Sequence, residues 1–189
     1  EFNGRSLRNF IGGERRGHKK RLNECLEVLQ QHGYADLLRK YPCSPVGNPF
    51  IYNYQGFSYT FRWTRHVYLL GLLNRVLADK LGDEFVVLDI GSSYGIFSDL
   101  VKQEHPRSHH VLVDFPEQLI LAYYFLGTIF PEARIAGVKE LQGHQELTRD
   151  FFNQYDFCLL PWPMYEQIAA GSIDLVTNFV YCTNLLCAS

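Results

Sequence analysis

The chain has 189 residues, 47% hydrophobic and 20% charged, with a formal net charge of -2. That length can bury a full core, and that balance is an ordinary globular one that argues against disorder. A near-neutral charge gives no basis for a nucleic-acid or anionic-membrane surface, and the longest apolar run, residues 119–130, is too short to span a bilayer.

The first dozen residues carry no periodic pattern and begin without methionine, as in a piece excised from a longer protein. From about Arg15 the pattern turns helical, with Leu22, Cys25, Leu26 and Leu29 at i, i+3, i+4 and i+7. The basic run Arg15-Arg16 and His18-Lys19-Lys20-Arg21 reads as the solvated start of that helix. Gly33 interrupts it, and residues 34–41 form a second short helix ahead of Pro42. Beyond a loop marked by Pro42, Pro45, Gly47 and Pro49, aromatic residues alternate: Phe50, Tyr52 and Tyr54, then Phe57, Tyr59, Phe61 and Trp63. With Gln55-Gly56 between the two runs, this predicts a β-hairpin. Its aromatic face reads as packing, with a sugar-stacking platform as the functional alternative. Residues 65–81 predict an amphipathic helix striped by Leu69, Leu70, Leu73, Val76 and Leu77.

Residues 85–89 are a buried strand ending on Asp89, followed by Gly91-Ser92-Ser93-Tyr94-Gly95 and a helix over 96–104. A second strand, 111–113, ends on Asp114, and Phe115-Pro116-Glu117 opens the next helix. That helix, 118–130, is apolar nearly all round and is expected to be buried on every side. Residues 132–155 read as irregular. Strands follow at 157–162 and 173–178, with Gly171-Ser172 as the turn between them. Strands alternating with helices predict an α/β fold with a doubly wound parallel sheet. Five cysteines, at 25, 43, 158, 182 and 187, show no C-x-x-C spacing, and buried thiols in a reducing, cytoplasmic setting are expected.

The glycine loop lacks the G-x-G-x-x-G of a dinucleotide site, because Gly91 and Gly95 stand four apart. S-adenosylmethionine has no pyrophosphate. It needs backbone access to its methionine part, an acid near the amino group and an acid on the ribose diol. Asp89, Gly91 to Gly95 and Asp114 supply these in chain order.

The run Leu88-Asp89-Ile90-Gly91-Ser92-Ser93-Tyr94-Gly95 resembles motif I of class I S-adenosylmethionine-dependent methyltransferases, with serine in place of the middle glycine. Val113-Asp114-Phe115-Pro116-Glu117-Gln118-Leu119 and Ala122-Tyr123-Tyr124-Phe125-Leu126 are similar to the sugar O-methyltransferase family. So are Leu160-Pro161-Trp162, Gly171 to Asn178 and Gly47-Asn48-Pro49, so that the resemblance covers roughly residues 45–178. It implies a Rossmann-like sheet and a cofactor site at Asp89, Gly91, Ser92, Ser93, Tyr94, Gly95, Asp114, Phe115, Pro161 and Asn178. Phe115 would lie against the adenine, Pro161-Trp162 at its edge, and Asn178 near the methyl group. A typical family member carries an acid at the adenine edge, which this chain lacks.

The resemblance also implies seven strands, of which four are recognisable, so the domain is expected to be C-terminally incomplete. The organisation expected is an N-terminal helical and hairpin extension, 1–64, and a cofactor-binding domain, 65–189. The activity expected is S-adenosylmethionine-dependent O-methyl transfer to a sugar hydroxyl of a small-molecule or glycan acceptor, without metal, nucleic-acid or membrane partners. The alternative is a truncated or degenerate methyltransferase-like module that does not catalyse; a nicotinamide oxidoreductase is disfavoured by the loop spacing. No general base is assigned, His66, His144 and Glu166 having only weak claims.

Overall fold

A computed structural model of the chain describes residues 19–77 and 80–179. The expectations for residues before 19, and for Cys182 and Cys187, lie outside the described residues. Those described fall into two compact units that divide between Val76 and Leu77. The expected boundary between 64 and 65 lies inside a continuous helix, Phe61–Leu77.

The first unit holds α1 (Lys19–Gln31), α2 (Ala35–Lys40), a hairpin of β1 (Tyr52–Tyr54) and β2 (Phe57–Tyr59), and α3 (Phe61–Leu77). The expected stripe on α1 is buried: Leu22, Cys25, Leu26 and Leu29 all face the core. Gln55 and Gly56 take φ of 50° and 77°, the two left-handed residues that a tight hairpin turn requires. The strand alternation stops at Tyr59, short of the expected Phe61 and Trp63. Thr60 is the reason: its Oγ1 accepts from the Trp63 amide at 3.1 Å and caps a helix. From there Trp63, Val67 and Leu70 follow helical spacing, and all three are buried. The Trp63 indole Nε1 donates to the Tyr41 carbonyl at 2.9 Å.

The second unit contains β3 (Val86–Ile90), α4 (Ile96–Glu104), β4 (His109–Asp114), α5 (Pro116–Ile129), β5 (Ile135–Ala136), α6 (Val138–Leu141), α7 (Arg149–Phe152), β6 (Phe157–Pro161) and β7 (Leu175–Thr177). A 3-10 turn, Trp162–Gln167, follows β6. The strands form one parallel sheet in the order β5-β6-β4-β3-β7. The four expected strands are therefore neighbours. The fifth, β5, lies in the stretch read as irregular, where two paired residues are too short to show a period.

Parallel strands need covering on both faces, and these have it. Val86, Leu88, Val111, Val113, Cys158 and Leu160 share one core with Leu141, Phe151 and Phe152 of α6 and α7. On the other face, Leu112 approaches Leu126 of α5 across Gly95, and Phe157 carries the rings of His110 and Phe130 at 5.5 and 5.4 Å. Helix α5 is buried along Leu119, Ala122, Phe125 and Leu126 only. Ile120, Tyr123 and Tyr124 remain 69%, 58% and 61% exposed, contrary to the expectation of burial all round. A straight helix presents only one stripe to a sheet, and apolar composition does not change that.

Asp174 aligns β7 at its start. Its Oδ2 accepts from the Val86 amide at 2.8 Å, its own amide donates to the Val86 carbonyl at 3.0 Å, and Arg149 forks onto its carboxylate. Among the described residues no helix is long and apolar enough to cross a membrane, and no cluster of His, Cys, Asp and Glu could hold a metal ion.

Candidate functional site

The carboxyl ends of β3, β4 and β6 meet at one edge of the sheet, where open α/β sheets place their ligands. β3 ends at Ile90 and the chain turns at Gly91, whose φ of 73° favours glycine. The Gly91 amide donates to the Val113 carbonyl at 2.8 Å, which folds the loop back over the end of β4. Ser93 takes φ of 54°, left-handed for a residue with a side chain. Its amide donates to Asp114 Oδ2 at 2.7 Å, which helps hold that conformation against a cost of about 1–2 kcal/mol. Ser93 thus holds a left-handed backbone at the middle of the loop.

Asp114 is the hinge of the site. Oδ2 takes the Ser93 amide and Oδ1 the Phe115 amide, each at 2.7 Å. A carboxylate offers about four acceptor positions, so each oxygen keeps one for a ligand. Beside it opens a cleft of about 200 Å³, lined by Ile90, Gly91, Val113, Asp114, Phe115 and Trp162. Phe115 is 65% exposed and Trp162 50% exposed. Trp162 stacks on Tyr165 with centroids 5.7 Å apart and planes inclined by 11°.

Of the sequence-derived positions, Gly91, Asp114 and Phe115 line this cleft, and Ser93 joins it through Asp114. Pro161 is buried and pairs with Asp114 in the register of β6 on β4. The Ser92 side chain is buried, and its Oγ has no hydrogen-bond partner among the described residues. Tyr94 turns inward, its ring edge-on to Phe125 at 5.1 Å. Gly95 also serves packing: a Cβ there would stand 3.0 Å from Leu126 Cδ1 and 3.2 Å from Leu112 Cδ2. Asn178 follows β7 directly, exposed and outside the cleft lining.

Asp89 lies one residue back from the end of β3, only 4% exposed. Its Oδ1 accepts from Thr177 Oγ1 at 2.9 Å, Thr177 being its register partner on β7. Burial pushes its pKa up to about 7 against the pull of the Thr177 hydroxyl, and the Asp114 charge adds to the rise. Thr177 and Tyr165 went unremarked in the sequence. Only the β3–β7 register brings Thr177 to Asp89, and only the 3-10 turn brings Tyr165 onto Trp162.

The weak base candidates do not gather here. His66 belongs to the first unit; its Nδ1 lies 2.7 Å from the Arg62 carbonyl, and burial pushes its pKa down to about 4. His144 packs on Phe151 at 4.7 Å, and Glu166 is exposed on the 3-10 turn.

The cleft sets a hydrogen-bond acceptor beside two exposed aromatic side chains. A glycine turn leaves backbone room, a fixed carboxylate has acceptor capacity to spare, and two ring faces flank it. Compared with known proteins, the chain matches no family model and no curated protein.

Proposed function

We propose that this chain binds S-adenosylmethionine in the Asp114 cleft, on a Rossmann-like sheet of the class I methyltransferase type, and serves O-methylation of a sugar hydroxyl. The observation that carries the reading is the Asp114 carboxylate. It is fixed by two backbone amides at the mouth of a glycine turn, with acceptor positions left over for a ribose diol. The sugar acceptor rests on the sequence resemblance alone.

Within this reading Asp114 binds the ribose, Phe115 and Trp162 flank the base, and the Gly91 turn gives the methionine part access to the backbone. Asp89 supplies the acid on the loop side of the sheet. Bound there, S-adenosylmethionine supplies an electrophilic sulfonium methyl group. The chain's contribution to the transfer is alignment, which can account for several kcal/mol of a barrier. Cys158 is a buried free thiol, in keeping with a cytoplasmic setting.

Calorimetry with S-adenosylhomocysteine tests the site. A charge-assisted hydrogen bond contributes about 1.5–3 kcal/mol, so Asp114→Ala should weaken binding at least tenfold. Because Asp114 also orders the loop, S-(2′-deoxyadenosyl)homocysteine should lose a similar factor on the unaltered protein. Equal affinity for the deoxy ligand removes Asp114 from the ribose. Binding without methyl transfer to any sugar leaves the non-catalytic module as the better reading.

A further inference from the structure

We infer that the cleft is permissive toward the purine base: it holds the ribose through Asp114 and the base by stacking on Phe115 and Trp162, with no side-chain acceptor left for the base's exocyclic amine among the described residues that line it. This rests on the nucleoside reading given above and concerns the opposite end of the same ligand.

Six residues line the cleft, and their only side-chain polar groups are the Asp114 carboxylate and the Trp162 indole N–H. The carboxylate is spoken for. Two amides orient it at the end of β4, where it serves the ribose. The neighbouring strand end is that of β6, which runs beside β4 with Pro161 opposite Asp114. There the sequence is Pro161-Trp162-Pro163, and the two prolines have no N–H. Three consecutive residues thus offer one backbone donor where most sequences would offer three.

Flat surface replaces those donors. Trp162 is half exposed, and the Tyr165 ring stacks nearly parallel to it. Stacking is tolerant of base identity because every base has a π face, whereas a site that hydrogen-bonds an edge strongly rejects an analogue lacking the matching group.

The experiment compares S-adenosylhomocysteine with S-inosylhomocysteine, in which a carbonyl replaces the exocyclic amine, by calorimetry on the intact chain. Both should bind, with affinities within tenfold of each other. Trp162→Ala should weaken both by a common factor of tenfold or more, and Trp162→Phe should restore both. S-adenosylhomocysteine binding more than tenfold tighter than the inosyl ligand overturns the inference while leaving the nucleoside site standing. Failure of both ligands to bind overturns the site and the inference together.

Discussion

Gly95 closes the proposed cofactor loop and also packs into the core, and Gly95→Ala tests the packing role. The added methyl would lie 3.0 Å from Leu126 Cδ1, 3.2 Å from Leu112 Cδ2 and 3.3 Å from Leu126 Cγ. Both leucines are fully buried, so neither can swing into solvent. The residue also sits at φ +87°, where a side chain costs about 1–2 kcal/mol. Overpacking adds about 1–3 kcal/mol, giving a destabilisation of about 2–5 kcal/mol. At about 2–4 °C per kcal/mol for a chain of this size, the ligand-free protein should melt at least about 4 °C lower. Circular dichroism melts of the parent, Gly95→Ala, Leu126→Ala and the double variant measure it. Removing the leucine side chain makes room for the methyl, so Leu126→Ala should cost less in the Gly95→Ala background than in the parent. A Gly95→Ala protein that melts with the parent, or two substitutions whose effects simply add, refutes the packing role.

Two further substitutions probe the rest of the molecule. A Cβ at Gly71 would fall 2.5 Å from Tyr34 Cγ, at the root of the ring, so Gly71→Ala should destabilise the first unit by about 1–3 kcal/mol in urea denaturation. Asp99 is fully buried on α4, and burial raises its pKa from 3.8 to about 7 against a hydrogen bond from Gln103. The folded state therefore keeps a proton that the unfolded chain releases, and stability falls as pH rises from 3.8 to about 7. Asp99→Asn should remove that fall, leaving stability at pH 4 little changed and raising it at pH 8 by up to roughly 4 kcal/mol. Identical pH–stability curves for variant and parent contradict the burial argument.

Much of the sheet was legible because parallel strands buried on both faces leave unbroken apolar runs. The runs at 85–89 and 157–162 read directly as strands, and the structure ends them one residue from the expected place, at Ile90 and Pro161. Register was not legible. Thr177 reaches Asp89 through a pairing across 88 residues of chain, and nothing local to either announces it. Phe61 and Trp63 continued an alternating pattern that Thr60 ended by capping a helix, a case of one side-chain hydrogen bond outweighing period-two spacing. Helix α5 misled in the other direction, because its composition exceeds what one face of a sheet can cover. In the site, the loop and Asp114 could be read from residue types and spacing. The two amides that fix the carboxylate, and the inward turn of Tyr94 and Gly95, are properties of the folded backbone.

The central claim is a nucleoside site for S-adenosylmethionine at the Gly91 turn. It is tested most directly by titrating the chain with S-adenosylhomocysteine and, in parallel, with NAD under identical conditions. The loop carries Ser93 where a dinucleotide fingerprint has its second glycine, so heat of binding should appear with S-adenosylhomocysteine alone and be reduced at least tenfold in affinity by Asp114→Ala. Binding of NAD in preference, or S-adenosylhomocysteine binding that Asp114→Ala leaves untouched, would contradict it.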